Sequence, residues 1–381
     1  MRNKVNELME KFNCDGEVVY IGLFNSGHIN TTCLVVVEDN GQQKKYVFQR
    51  INTNVFKNPE GVMKNISSVT GFIKDKIERQ GEDSTRRVLN FKQAPDGNSF
   101  VIDDNGGYWR AYDFVDNSVT FDVADKDVMY ETGKAFGEFQ TLLSDFPSHE
   151  LYDTIPDFHN TPKRFDTFRT VLANDPVNRA NGVKSEIYQY LRLEQIACQM
   201  QNMLDRGELP LRVTHNDTKC NNVLFDEHTH KHLCVIDLDT VMPGLVGFDF
   251  GDAMRYASNT REEDCTQLDE IKVDLGKFEA FTRGFVESVG DALTEAEIKT
   301  LALGAITMTT ECGLRFLTDY IDGDNYFKID YPTHNLDRAR SQLRLAQEMI
   351  ADRQKLEKIV EDCVQQNKTR YTDRGDDESF M

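Results

Sequence analysis

The residues whose types and spacing suit chemistry gather in one stretch, 213–252, which reads VTHNDTKCNNVLFDEHTHKHLCVIDLDTVMPGLVGFDFGD. His215, Asn216 and Asp217, followed five positions later by Asn222, have the spacing H-x-D-x-x-x-x-N. In kinase catalytic loops an Asp at that place accepts the proton of an acceptor hydroxyl, and the Asn holds magnesium. Two short apolar runs follow, 222–226 and 233–237, separated by a polar turn at 227–232, which is the pattern of a β-hairpin. Pairing Asp226 with Leu233 sets Asn222 opposite Asp237 in an antiparallel register. An amide and a carboxylate then converge beside Asp217, and magnesium wants few protein oxygens and several from phosphate. The expected chemistry is phosphoryl transfer, with Asp217 as base and Asn222 and Asp237 as metal ligands.

Three neighbours need weighing. Lys219, two residues past the base, points the same way along an extended loop and is a candidate for the transferred phosphate; a solvated lysine is the plain alternative. Asp249-Phe250-Gly251 spells the kinase DFG motif, but it follows the Pro243-Gly244 turn, where a helix opens. Asp249 is therefore expected to be structural, tying the amides of the catalytic loop. His228, His230 and His232 alternate on the hairpin turn without a fourth ligand nearby, and read as a solvated turn.

These residues need a scaffold. The 381 residues suffice for two cores. Residues 17–51 alternate as three strands with an Asp39-Asn40-Gly41 turn, and a small-residue loop around Gly27 joins the first two. That loop is either an ordinary hairpin or a cradle whose amides face phosphate. A helix is expected over 59–80, then strands near 88–91, 100–103 and 108–115. Beyond a linker at 116–118 the pattern is helical: 127–146, 184–206, a helix marked by Phe278, Phe281 and Phe285, a capping box at Thr294 and Glu297 opening a helix to about 320, and a last amphipathic helix through Leu336 and Ile350. The expected architecture is α+β and bilobal. Residues 1–115 form a β-rich nucleotide lobe, 116–370 a helical lobe with the catalytic loop, and 371–381 a disordered acidic tail. Adenine is expected against Tyr112, Phe114 and Val115, with phosphates between Gly27 and Asp237. Protein kinases place a phosphate-holding lysine on the third strand. Here that strand offers Gln49 and Arg50 on opposite faces, and the sequence does not decide between them.

Composition narrows the partners. A net charge of −20 without a long basic run argues against nucleic acid. No apolar run approaches membrane-spanning length, and the N-terminus lacks the apolar core of a signal peptide. Eight scattered cysteines without a CxxC pair suggest reduced thiols and a cytoplasmic setting. The oligomeric state is left open.

The whole pattern resembles the aminoglycoside phosphotransferase and choline kinase family, small-molecule kinases of protein-kinase-like fold. Within it the resemblance is to the N-acetylhexosamine 1-kinases. It is carried by GHINTT at 27–32, FQRINTNVF at 48–56, RVTHNDTKCNN at 212–222, IDLDTVMPG at 236–244, FDFGD at 248–252, ECGLRFLTDY at 311–320 and YPTHNL at 331–336. The resemblance implies ATP and Mg2+ as cofactors and a sugar acceptor, phosphorylated at the anomeric hydroxyl of N-acetylglucosamine or N-acetylgalactosamine. It also implies sugar contacts from Arg315 and Tyr326, with His28 and Asp239 as further sugar-side candidates. Without it, Arg315 would pair with Glu311 and Asp319 on its own helix face, and Tyr326 would be ordinary core.

Overall fold

The computed structural model describes residues 2–24 and 29–377, with side chains through 369. Gly27 and His28 lie outside the described residues. The chain opens with helix α1 (Arg2–Lys11), then antiparallel strands β1 (Glu17–Leu23), β2 (Thr31–Asp39) and β3 (Gln42–Arg50). Helix α2 (Pro59–Arg79) and strands β4 (Val101–Ile102) and β5 (Tyr108–Asp113) complete a sheet of order β1-β2-β3-β5-β4. Strand alternation sorts its two faces. Tyr46 and Phe48 bury against Val5, Leu8 and Met9 of α1 and Phe12 just after it, so Val47 and Gln49 turn to the other side. Asn58 starts α2 by accepting from the Gly61 amide at 2.9 Å, with Pro59 in the first turn. The buried stripe of α2, including Ile66, Val69 and Ile73, joins one apolar cluster with Phe136, Val223 and Phe250. The sheet lobe is thus packed onto the helical lobe through α2.

The larger lobe begins after a short strand β6 (Ser118–Val119) with helix α3 (Lys126–Leu142), α4 (Thr161–Asn174), α5 (Lys184–Ala197) and α6 (Gln199–Asp205). Strands β7 (Arg212–Thr214), β8 (Val223–Asp226), β9 (His232–Val235) and β10 (Met242–Gly244) carry the catalytic stretch. Helices α7 (Val246–Ala257), α8 (Leu275–Val289), α9 (Glu295–Asp322), α10 (His334–Ala351) and α11 (Arg353–Asp377) follow. The Thr294–Glu297 capping box opens α9 as expected. Where α7 crosses α9 the backbones nearly touch: a Cβ on Gly304 would run into the carbonyl of Gly247, and one on Gly251 into that of Gly304.

Three expectations change. The 184–206 helix bends at Cys198, because Tyr190 and Ala197 pack into one apolar cluster and Met200 into another. Residues 88–91 form no strand; only Phe91 makes an isolated bridge to Tyr112. Helix α11 continues through 377, into the stretch expected as a tail. Helix α4 was not anticipated, although Asn160 before Thr161-Pro162 is a sound helix start.

His232, expected as part of a solvated turn, is instead clamped between two glutamates of α3. Its Nδ1 lies 2.6 Å from Glu131 and its Nε2 3.1 Å from Glu138, which also binds Arg87. Burial alone would lower the imidazole; the two glutamates outweigh it and raise it above the usual 6.5. Both glutamates are held below their usual 4.5, against their own burial, chiefly by His232. A raised histidine contributes stability below its unfolded value, lost as pH rises through its folded value; lowered glutamates contribute above theirs. The clamp should therefore contribute most between about pH 4.5 and 6.5. His232→Gln is expected to cost about 2 kcal/mol there, with the gap to wild type shrinking at alkaline pH. A Tm difference that is flat from pH 5 to 9 would contradict this.

Candidate active site

The catalytic loop leaves β7, which pairs with β10 through Thr214 and Met242. Asn216 adopts a left-handed backbone (φ 65°), a conformation Asn tolerates better than most residues. Its turn is held from below by α7. Asp249 accepts from the His215 amide at 2.9 Å and the Asn216 amide at 2.7 Å, and Gln140 donates to the same carboxylate at 3.0 Å. Asp252 accepts from the Thr218 amide at 3.1 Å. From above, Thr240 donates to the His215 carbonyl at 2.7 Å. His215 itself is buried, packed edge-on against Phe136 and Phe139 and bonded to the Ile236 carbonyl at 2.9 Å. Asp249 is structural, as its place at a helix start implied.

Asp217 emerges from this clamp half-exposed. Lys219 Nζ sits 2.9 Å from its carboxylate, and Asn222 Nδ2 donates to it at 2.9 Å. Burial would raise the Asp217 carboxyl, but Lys219, His215 and Asn222 together hold it below the ordinary carboxylate range. Lys219 is raised in turn, first by the Asp217 charge, so the pair is an ion pair at neutral pH. The lysine is therefore engaged at the reacting end of the site.

The hairpin register is one residue off the expected one. Val223 faces Val235 and Leu224 faces Cys234, and the Ile236 amide donates to the Asn222 carbonyl at 2.9 Å. Asn222 thus opposes Ile236 rather than Asp237: near the turn Phe225 pairs with His232, two residues off the expected register, and a bulge between Leu224 and Phe225 recovers one of them. Asp237 lies just past the ladder in a left-handed conformation (φ 60°), open to the cleft. Its recess in the cleft, which removes water, then Asp239 and Asp217, push its carboxyl up to about 6. No described residue donates a hydrogen bond to Asp237, and the Asn222 side-chain oxygen is likewise unengaged. Two hard oxygen donors facing accumulated negative charge suit Mg2+. Among the described residues no three His, Cys, Asp or Glu side chains form a metal cage of their own, so such an ion would need oxygens from a ligand as well.

In the cleft above, the β3 ambiguity resolves by geometry. Gln49 opposes Arg110 of β5 in the ladder, and its Oε1 accepts from Arg110 Nε at 2.9 Å. Arg50 is exposed on the opposite face, its guanidinium passing Gly107. Arg110 reaches across to form a buried ion pair with Asp239, whose second oxygen accepts from Asn30. Asp239 was expected on the sugar side; in the structure each of its oxygens takes a contact between the lobes, from Arg110 and from Asn30. Tyr112 stands against Phe91 (ring centroids 5.2 Å apart), and Phe114 carries Lys45 over its ring at 5.6 Å. Val115 is buried with Leu89 and Cys234, with Tyr112, Leu224 and Ile236 packed around them. Leu224 and Ile236 flank the expected metal ligands, a pairing the hairpin pattern contained but did not single out.

Arg315 makes no ion pair with either acid on its helix face. Glu311 is taken by His159 (2.8 Å) and Thr161 (2.6 Å), and Asp319 accepts from the amides of Asn325, Tyr326 and Phe327 at 2.8–2.9 Å. The Arg315 guanidinium lies instead among the rings of Phe158, Tyr326 and Phe327, at 5.6, 5.7 and 5.3 Å. Tyr326 is 63% exposed, so it is not core. Arg164 stands nearby, its charge lowered in affinity for its proton first by burial and then by Arg315. Its Nε is buried without a partner. His159 Nε2 approaches the Asn216 carbonyl at 3.4 Å, which sets this arginine box beside the catalytic loop. Arg110, Arg164, Phe158 and His159 carry no motif that sequence reasoning could have caught.

Two substitutions separate the roles. Asp217→Asn should keep the fold while lowering the rate of phosphoryl transfer by roughly 10²- to 10⁴-fold; near wild-type turnover would remove Asp217 from the base role. Asp237→Ala should abolish magnesium-dependent nucleotide binding with little change in Tm. Asp249→Ala should cost about 3 kcal/mol, because two buried amides lose their acceptor. Paired thermal melts and magnesium titrations showing the reverse would mean that the two carboxylates have been exchanged.

Known proteins can now be set beside this geometry. Similar folds include an aminopropanol kinase associated with a microcompartment, at 17% identity and a TM-score of 0.61, covering 92% of this chain and 98% of that one. An ethanolamine kinase of Plasmodium vivax is 16% identical with a TM-score of 0.54, covering 85% and 82%. A choline kinase of Cryptosporidium parvum is 13% identical with a TM-score of 0.56, covering 93% and 96%. At such identities the likeness speaks for the fold alone, which is protein-kinase-like, with an antiparallel sheet lobe and a larger helical part. Residues 21–287, well over half of the chain, match the family APH, and the chain accordingly belongs to this phosphotransferase enzyme family.

Proposed function

We propose that the chain is an ATP- and Mg2+-dependent sugar kinase, which transfers the γ-phosphate to the anomeric hydroxyl of N-acetylglucosamine or N-acetylgalactosamine. The phosphoryl half of this reading rests on Asp217, Asn222 and Asp237 converging under the cleft. Adenine lies against Tyr112, Leu224 and Ile236, with Phe114 at the linker. Asn222 and Asp237 would hold Mg2+, which would supply charge neutralisation to the phosphates.

The chain's own residues do the rest. Asp217, an ionised carboxylate, accepts a hydrogen bond from the sugar hydroxyl and so aims its oxygen in line with the γ-phosphorus. The new O–P bond forms as the bond from the γ-phosphorus to the bridging oxygen breaks, and ADP leaves with that electron pair. The hydroxyl proton passes to Asp217, late, since a carboxylate of low pKa is a weak base. Lys219 neutralises Asp217 beforehand and is the cation beside the incoming phosphoryl group.

The acceptor half is carried by one observation: Arg315 and Arg164 lie next to the catalytic loop, and among the described residues no carboxylate comes within ion-pair distance of either, with Glu311 and Asp157 acting on Arg164 only from farther away. Two guanidiniums without a direct ion pair disfavour the cationic nitrogen of an amino alcohol such as aminopropanol, ethanolamine or choline. They favour an acceptor rich in hydrogen-bond acceptors, and the exposed Tyr326 ring beside Arg315 offers a flat apolar surface for a sugar face. Hydroxyl and acetamido oxygens meet that description.

ATP consumption measured over N-acetylhexosamines, plain hexoses, aminoglycosides and choline tests this reading. Turnover is expected with an N-acetylhexosamine, and the product's H1 signal should be split by coupling to phosphorus. Arg315→Ala should raise KM for the sugar about ten- to a hundred-fold and leave KM for ATP near wild type. Phosphate on C6 or C3, or turnover with amino alcohols alone, would defeat the sugar 1-kinase reading.

A further inference from the structure

Nucleotide phosphates in kinases are held by a cation on the third strand, steadied by a glutamate on the following helix. Neither residue stands in its usual place here. The cleft-facing position on β3 is Gln49, and the α2 side chain that meets the cleft cation is Met63, whose sulfur lies 3.9 Å from Arg110. A cation is present all the same, one strand over. We propose that Arg110, held by Asp239 and Gln49, binds the phosphates of the nucleotide in place of a third-strand lysine. This inference rests on the ATP reading above.

The geometry supports it in three ways. Gln49 and Arg110 are directly opposed in the β3–β5 ladder, and opposed side chains share a face with Cβ atoms about 5 Å apart. The cation has moved sideways within the same patch of cleft wall. Second, Arg110 uses Nε for Gln49 and Nη1 for Asp239, while Nη2 makes no hydrogen bond among the described residues. Two of the three guanidinium nitrogens are therefore held and the third remains to donate. Third, Asp239, the carboxylate that holds Arg110, is two residues from Asp237. A phosphate between Arg110 and a metal on Asp237 would meet positive charge from both sides.

The partner's location adds a consequence. Asp239 belongs to the larger lobe and Arg110 to the sheet lobe, and Asn30 beside the β1–β2 loop shares the same carboxylate. The phosphate-holding cation is thus fixed by a contact that spans the lobes. A buried ion pair contributes little net stability relative to apolar packing, so function is the better reason for keeping this one.

The test uses the full-length chain with Mg2+ and measures affinity for ATP, ADP and adenosine by calorimetry. Arg110→Gln should weaken ATP and ADP about ten- to a hundred-fold while adenosine binds as before. The exchange variant Gln49→Lys with Arg110→Gln returns a cation to β3, and should recover most of the lost ATP affinity. It also decides the case if the single variant does not fold: an exchange variant that prefers ATP to adenosine as wild type does supports the assignment, and one without that preference overturns it. Equal losses for all three ligands in a folded Arg110→Gln, or no loss at all, would assign Arg110 to structure alone. A wild-type chain that binds adenosine no worse than ATP would overturn the ATP reading itself and this inference with it.

Discussion

The active site depends on one buried carboxylate. Asp249 receives the amides of His215 and Asn216 and thereby fixes a left-handed turn that no local sequence preference would hold on its own. Asp249 is fully inside the protein, and burial raises its carboxyl; the His215 ring beside it and the two amides act against that rise. Its position is set by α7, and α7 is set by α9, because Gly247, Gly251 and Gly304 let the two backbones approach without side chains between them. The order of dependence runs from a helix crossing to a carboxylate, to a loop, to Asp217. Substituents at those glycines would be expected to disturb the reacting carboxylate from a distance, since packed interiors transmit displacement.

Above the loop the lobes meet through polar contacts as well as packing. Arg110–Asp239, Asn30–Asp239 and the Asn65 side chain bonding the Val241 carbonyl at 2.9 Å all cross from the first lobe to the hairpin region. They fix where the sheet sits over Asp237. Below the loop, His159 and Glu311 connect Asn216 to α9, and so to Arg315. On the proposed reading, Asp217, Asn222 and Asp237 therefore lie between a nucleotide side and an acceptor side that are each wired to the same short segment. A phosphotransferase needs that arrangement, because its catalysis is mostly a matter of placing two substrates and neutralising charge.

What the sequence disclosed was whatever depends on short spacing. H-x-D-x-x-x-x-N, the strand alternation of 17–51, the Thr294 capping box and the structural part of Asp249 all rest on neighbours within a few residues or a helix start. The bilobal architecture followed from the change in periodicity near 116. What it hid depends on distant partners or on a single inserted residue. The turn sets Phe225 opposite His232, two residues off the expected register, and a bulge beside Leu224 recovers one; nothing in an apolar run announces either. Arg110 meets Asp239 across 129 positions. Arg315 looked paired because two acids lie four residues away on its helix, yet both acids turn to better donors, a histidine and three backbone amides. His232 looked solvated on a polar turn and is clamped because α3 happens to present two glutamates to it.

The central claim is that Asn222 and Asp237 hold the metal and Asp217 faces the acceptor, while Asp249 serves only the loop. A crystal structure with magnesium and a non-hydrolysable ATP analogue tests it most directly. The expected result is an ion bound to the side-chain oxygens of Asn222 and Asp237 and to phosphate oxygens, with Asp217 uncoordinated and Asp249 still bonded to the amides of His215 and Asn216. An ion on Asp249, or a nucleotide bound outside the cleft between β3 and the β8–β9 hairpin, would contradict it.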